Sequence, residues 1–331
     1  MKVKLMVTML VLAGTNGAMA KNKVIYGEDN RVNASESTNE LYKKLAQSTA
    51  AMIPNEAVTP VMEGVLSKIN GATLKESQRL CEGERFEGQQ TAGMCSGFLV
   101  GPNLLVTAGH CMPSTEDANG NLVSSSCQGN KWVFDYRQDL LGDDTKEVFV
   151  NSSNVYSCKR VLGQKLSRTS MNDYAIIELD REVTGREPLK YRTEGKIADG
   201  TELVVIGHPS GLPTIIADGA QVRTNDNPFF FQANLDTFGG NSGSAVFDAE
   251  TGVVEGILVR GEKDYKYDEV NNCYRVFQCE NDKCRGEDVT RITMIPQLAP
   301  GQQPEEPAEP ETPSFPFPFP YIFATPNAVV Q

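Results

Sequence analysis

The chain has 331 residues, 22% of them charged, and a formal net charge of −12, an acidic balance that disfavours nucleic acid and anionic membrane surfaces as partners. Its eight cysteines point to disulfides and an oxidising compartment rather than a reduced one. With only two histidines, His110 and His208, and no Cys-x-x-Cys pair, a zinc site is disfavoured, and no metal or organic cofactor is expected.

Residues 1–20 read as a secretory leader. Lys2 and Lys4 form a basic start, Leu5 to Leu12 an apolar core, and Ala18-Met19-Ala20 a cleavage site. The apolar run is too short to span a bilayer, and no later stretch approaches the ~18 apolar residues a span needs. Removing the leader takes two lysines and leaves a mature charge of −14. A secreted protein, periplasmic or extracellular, is expected.

Residues 21–90 are mixed and read as an N-terminal segment. Ser37 with Glu40 has the spacing of a helix capping box, followed by Leu41, Tyr42, Leu45 and Ala46 on one helical face. A second helix is expected over Pro60 to Ile69. Residues 91–295 read as a domain of short strands: 97–100, 104–107, 132–136, 174–179, 203–207, 229–233, 245–247 and 253–259. Turn signals such as Gly101-Pro102-Asn103 and Glu250-Thr251-Gly252 separate them. Many short strands without a long helix predict an all-β barrel or sandwich. Residues 296–331 hold 10 of the 18 prolines, four glutamates and the run Phe315-Pro316-Phe317-Pro318-Phe319-Pro320. That composition favours extended polyproline II or disorder.

Ser242 lies in Gly239-Gly240-Asn241-Ser242-Gly243-Ser244, 132 positions after His110 in Thr107-Ala108-Gly109-His110-Cys111. Between them, Asp173 opens the strand Tyr174 to Leu179. His, Asp, Ser is one of the few chain orders in which a nucleophilic serine triad occurs. A serine hydroxyl is a weak nucleophile until an imidazole takes its proton and a carboxylate holds that imidazole in the right tautomer. The glycines allow a tight turn that aims the N–H groups of Gly240 and Ser242 at a developing oxyanion. His208, in Gly207-His208-Pro209-Ser210-Gly211, reads as a structural residue at a strand end.

At these motifs the chain resembles the chymotrypsin-like serine peptidases, and within them the bacterial glutamyl endopeptidase (V8-like) branch. The resemblance runs from about Val24 to about Thr293. Val24 to Arg31 is similar to that branch's mature start, which leaves residues up to the mid-80s as an alternative pro-segment. Cys95 to Pro102 is similar to its histidine region, Asp236 to Ser244 to its serine region, and Thr290 to Thr293 to its C-terminal end. The resemblance implies two six-stranded antiparallel β-barrels packed face to face, with the active site in the cleft between them. His110 and Asp173 would come from the first barrel and Ser242 from the second. It further implies a Cys95–Cys111 disulfide and a monomeric serine endopeptidase acting on protein or peptide substrates. A disulfide between Cys127 and Cys158 is expected, with one of Cys273, Cys279 and Cys284 reaching Cys81.

For specificity, Asp236 lies six residues before Ser242, where trypsin-like enzymes place the carboxylate that pairs with a substrate Arg or Lys. Thr237 is shared with glutamate-cleaving members, but Leu258 stands where these carry a pocket histidine. The expectation is cleavage after Arg or Lys. Glutamate specificity, with Arg260 as the cation, is the alternative within the class. A non-catalytic pseudo-protease is the alternative outside it.

Overall fold

The structure is a computed structural model and describes residues 24–140 and 147–300. The expected leader and residues 301–331 of the proline-rich tail lie outside the described residues.

Six strands build a first closed sheet: β1 (Thr49–Pro54), β2 (Cys95–Gly101), β3 (Leu104–Thr107), β4 (Asn130–Phe134), β5 (Val155–Leu166) and β6 (Asp173–Leu179). All pairings are antiparallel, in the order β5-β4-β1-β2-β3-β6, and β6 pairs back onto β5 to complete the ring. Six more build a second: β7 (Glu202–Gly207), β8 (Ile215–Thr224), β9 (Phe230–Ala233), β10 (Ala245–Asp248), β11 (Val254–Arg260) and β12 (Glu287–Arg291). Their order is β7-β10-β11-β12-β9-β8, closed by β8 on β7. The fold is therefore two six-stranded antiparallel β-barrels. Closure leaves neither ring with an unpaired edge.

Strand alternation explains how so acidic a chain fills two barrels. One buried cluster joins Leu203, Val205, Ala217, Val222, Phe231, Val246, Leu258 and Val289, drawn from all six strands of the second barrel, and so is that barrel's interior. A larger cluster joins Phe98, Val106, Trp132, Tyr156 and Ile176 of the first barrel to Ile206, Phe247, Ile257 and Val259 of the second. Successive residues point to opposite sides of a strand: in β11, Leu258 faces the interior of its own barrel while Ile257 and Val259 face the first.

The eight expected strands all occur, with ends displaced by up to two residues. Three expectations outside them need correction. Pro60 to Ile69 is not a helix but the antiparallel pair Val58–Val61 and Leu66–Asn70. Leu66–Asn70 pairs on its other side with Glu147–Asn151 and buries Ile69, the β-branched residues favour a strand, and Gly64 (φ +86°) allows the turn between them. The helix Glu40–Ala46 forms as expected but is capped by Asn39, whose Oδ1 accepts from the N–H groups of Leu41 and Tyr42 at 3.0 and 3.2 Å. Ser37 instead accepts from the Asn39 N–H.

The third correction concerns boundaries. β1 lies inside the segment expected to precede the catalytic domain, yet it is hydrogen-bonded between β4 and β2. Cleavage between Gln78 and Thr91 would sever the chain after a barrel strand, and a cut beyond Cys81 would leave that strand tied to the rest only through the Cys81–Cys273 disulfide. At the other end, Pro296–Leu298 forms a short turn whose Leu298 packs into the large cluster. The domain therefore continues past the expected start of the tail.

Disulfides join Cys95 to Cys111, Cys127 to Cys158, Cys81 to Cys273, and Cys279 to Cys284. Four such bonds fit an oxidising extracellular or periplasmic setting. Among the described residues no helix is long and apolar enough to cross a membrane.

Candidate active site

His110 sits in the single turn Gly109–Cys111 that follows β3, and Asp173 is the first residue of β6. Because β3 and β6 are adjacent in the ladder, the two side chains meet without help from the rest of the fold. The Asp173 carboxylate accepts from the His110 backbone N–H at 3.0 Å through Oδ1, and lies 2.8 Å from the ring Nδ1 through Oδ2. That arrangement fixes the imidazole orientation and makes Nδ1 the protonated nitrogen, leaving Nε2 as the basic one. Asp173 is fully buried, with 1% of its surface exposed.

Ser242 reaches this pair from the second barrel. Its carbonyl accepts from the Ser96 N–H at 2.8 Å, and Cys111 Sγ lies 3.6 Å from the same oxygen. The Cys95–Cys111 disulfide, beside Ser96 and His110, therefore fastens the turn of His110 to the strand that holds the Ser242 backbone. The Ser242 hydroxyl and His110 Nε2 are both buried, and neither has a hydrogen-bond partner among the described residues. Such links are often long or misaligned without substrate and tighten when it binds.

The backbone of the serine turn is selective about its donors. Gly239 N–H donates to Asp264 at 2.8 Å, Asn241 to the Phe238 carbonyl, Gly243 to Leu258 and Ser244 to Asn241. The N–H groups of Gly240 and Ser242 make no such bond among the described residues. Gly240 adopts φ +93° and Gly243 φ +91°, a region costly for side-chain-bearing residues. A Cβ at Gly243 would also overlap the Ser96 carbonyl. Two adjacent free donors beside a serine hydroxyl are what an oxyanion requires.

Residues 95–257 match the family model of the trypsin-like peptidase domain. The chain carries a trypsin-like peptidase domain. Among solved structures, this peptidase is similar to a Glu endopeptidase in complex with MPD (17% identity, TM-score 0.42, covering 82% of this chain and 96% of that one). It is also similar to the VesB protease of Vibrio cholerae (14% identity, TM-score 0.43), covering 82% of this chain but only 65% of that one. At these identities and scores neither likeness adds to the closed barrels as grounds for the fold. No curated protein matches the chain.

The four residues expected to read the substrate are dispersed. Asp236 is buried, and its two oxygens accept from the N–H groups of Tyr26 (2.7 Å) and Asn30 (3.2 Å). It therefore faces the N-terminal segment, whose Val24 carbonyl also accepts from Thr237 N–H. Burial pushes the Asp236 carboxyl up to about 7, against the pull of those two donors. Leu258 belongs to the interior of the second barrel and does not wall a pocket. Arg260 is 6% exposed and turned towards Asp173 and Asp288. Thr237 alone meets a residue that sequence reading missed: its Oγ1 donates to the Glu287 carboxylate at 3.0 Å. Ser96 was missed as well. Its hydroxyl donates to the Gly240 carbonyl at 2.9 Å and accepts from the His208 N–H at 3.0 Å. Glu287 lies 45 positions after Ser242, and Ser96, although within the Cys95 to Pro102 motif, lies 146 positions before it; only the fold brings them to the serine turn.

Two groupings have metal-ligand spacing, Cys95 with His110 and Cys111, and Cys81 with Asp268 and Cys273. In each, the cysteine sulfurs are joined to one another as a disulfide and offer no thiolate.

His208 is structural, as its context suggests. It is fully buried, with Nδ1 3.0 Å from the Leu212 carbonyl and its ring beside Tyr136. Burial lowers its pKa from 6.5 to about 4, so the unfolded chain binds a proton in that window that the native state refuses. Stability is therefore full above about pH 6.5 and is lost as pH falls towards about 4, by up to about 3 kcal/mol. His208→Gln should lower stability at pH 7 and flatten its decline between pH 7 and 4. Urea unfolding at several pH values measures both; an unchanged slope would refute the assignment.

Proposed function

We propose that the protein is a secreted serine endopeptidase that hydrolyses peptide bonds by acyl transfer, cutting after Arg or Lys. Ser242 Oγ attacks the scissile carbonyl while His110 Nε2 takes its proton. Asp173 holds the imidazole and stabilises its charged form. The N–H groups of Gly240 and Ser242 receive the oxyanion, each worth roughly 10²–10³ in rate in comparable sites. His110 then returns the proton to the leaving amine, and water, activated by the same base, releases the acyl group. The observation that carries this reading is the pattern of unengaged groups. Within one turn, the hydroxyl and two N–H groups that the reaction needs are without partners, while their neighbours are bonded.

Preference for a cationic side chain is supported by Glu287 rather than Asp236. The Glu287 carboxylate is buried between two segments: Thr237, on the approach to Ser242, and the end of β11, where Glu262 N–H donates to it at 3.3 Å. A Cβ at Gly261 would overlap it. A buried carboxylate at that place favours a charged partner. A substrate glutamate would meet Glu287 there, and the cation it would need, Arg260, is held by Asp173 and Asp288.

Residues 1–20 are proposed as the leader, and the mature chain is proposed to keep Val24 onwards, because β1 is a barrel strand. It is taken to act as a monomer, with protein or peptide substrates as its partners. A fluorophosphonate probe should label Ser242 in the secreted protein, with the site read by mass spectrometry. A protein that binds peptides but takes no label would be a pseudo-protease instead.

A further inference from the structure

We propose that Arg260 is a positioning residue that locks the His110–Asp173 pair of the first barrel in register with Ser242 of the second. The problem it answers is built into the fold. Base and nucleophile come from separate barrels, so their alignment depends on what crosses the cleft.

Arg260 ends β11, in the second barrel. Alternation would place it on the same side as Leu258, inside that barrel. The ladder between β11 and β12 shifts register between these two residues, and an irregularity of this kind re-aims a side chain. Leu258 stays in the interior, whereas the Arg260 guanidinium crosses to the first barrel. There Nη1 lies 3.6 Å from Asp173 Oδ2, the oxygen that faces the imidazole, and Nη2 donates to the Met171 carbonyl at 2.7 Å. Met171 has φ +60°, a left-handed conformation uncommon outside glycine, and the bond to its carbonyl holds the turn that delivers Asp173.

The other end is anchored in the second barrel. Arg260 Nε donates to Asp288 Oδ2 at 3.1 Å, and Asp288 is itself held by Gln232 at 3.0 Å and by Arg285. Arg260, Asp173 and Asp288 are 6%, 1% and 0% exposed. The guanidinium thus spans two barrels through three oxygen partners in fixed directions, a task suited to its planar fork and not to a lysine ammonium. Its Nη1 makes no hydrogen bond among the described residues, so its interaction with Asp173 is through charge.

This role rests on the triad reading, and the experiment separates the two. Arg260→Met and Arg260→Lys are compared with the parent protein using the chromogenic peptide that the parent cleaves best. Misplacement of reacting groups by about 1 Å costs roughly 10²-fold in rate, so the Met variant should lose about 10²-fold in kcat with KM within about threefold of the parent. The Lys variant should fall between, because it keeps the charge and loses the fork. A kcat within about threefold of the parent in the Met variant overturns the proposal. So does a loss carried entirely by KM, which would place Arg260 in substrate binding. If the Met variant does not fold, the Lys variant decides: unchanged kcat overturns the proposal, and a lowered kcat at constant KM supports it. Failure of the parent to take the fluorophosphonate label at Ser242 would instead remove the triad reading itself.

Discussion

Ser242→Ala is expected to abolish fluorophosphonate labelling and to lower peptide cleavage by roughly 10⁶-fold, the usual consequence of removing the nucleophile of a triad. The fold should survive, because the hydroxyl makes no hydrogen bond that holds the structure. The turn is kept instead by backbone bonds that alanine retains: Ser96 N–H to the residue 242 carbonyl, Asn241 N–H to Phe238, and Gly243 N–H to Leu258. The residual rate should exceed that of free solution, since the Gly240 and residue 242 N–H groups still stabilise an oxyanion formed by attack of water. Thermal unfolding and steady-state cleavage of the same preparation decide the matter. A comparable rate in the alanine variant would show that Ser242 is not the nucleophile.

Glu287→Gln is expected to give the second largest effect, and on selectivity rather than on chemistry. A buried ion pair that loses one partner typically costs about 3–5 kcal/mol, or upwards of ~10²-fold. The variant should therefore lose at least ~10² in kcat/KM for peptides ending in Arg or Lys, with little change for a matched alanine peptide. Thr237 Oγ1 and Glu262 N–H donate to different oxygens of Glu287. In glutamine the remaining oxygen can still accept from Glu262 N–H, and the new amide N–H can donate to the Thr237 hydroxyl, which also accepts. Asp236→Asn should leave the ratio of Arg to Ala cleavage nearly unchanged, since both Asp236 oxygens already face the backbone of Tyr26 and Asn30. A series of chromogenic substrates ending in Arg, Lys, Glu and Ala reads all of this. If Glu287→Gln keeps the parental Arg preference while Asp236→Asn destroys it, the pocket carboxylate is Asp236 after all.

Local sequence determined a large part of this protein. The triad candidates are legible because each sits in a short segment whose neighbours have their own chemical reason to be there: glycines that a side chain would block, a cysteine that fastens the turn, a strand that starts at the carboxylate. The strands are legible because period-2 burial is written along the chain, and even the split between Ile257, Leu258 and Val259 follows from alternation. The closed order of the strands, by contrast, follows no local rule; here the family resemblance supplied the expectation and the ladder pairings supplied the finding.

Tertiary structure alone decided what lies between the segments. Pro60 to Ile69 carries an apolar spacing that a helix could use, and the chain became a hairpin because Leu66–Asn70 is also paired with the remote strand Glu147–Asn151. β1 falls in the N-terminal segment expected to precede the strand-rich domain, yet hydrogen bonding on both sides makes it a wall of the first barrel. Asp236 has the spacing of a pocket carboxylate and is claimed by the N-terminal segment instead, while Glu287, 45 positions after Ser242, takes the place beside Thr237. Arg260 reads as a cation that could receive a substrate glutamate and becomes a buried link to Asp173 through one shift in the ladder. The physical reason is the same in each case. Backbone geometry and side-chain parity act over a few residues and can be read along the chain. Which buried charge meets which partner depends on contacts between residues remote in sequence, and a one-residue change of register redirects them.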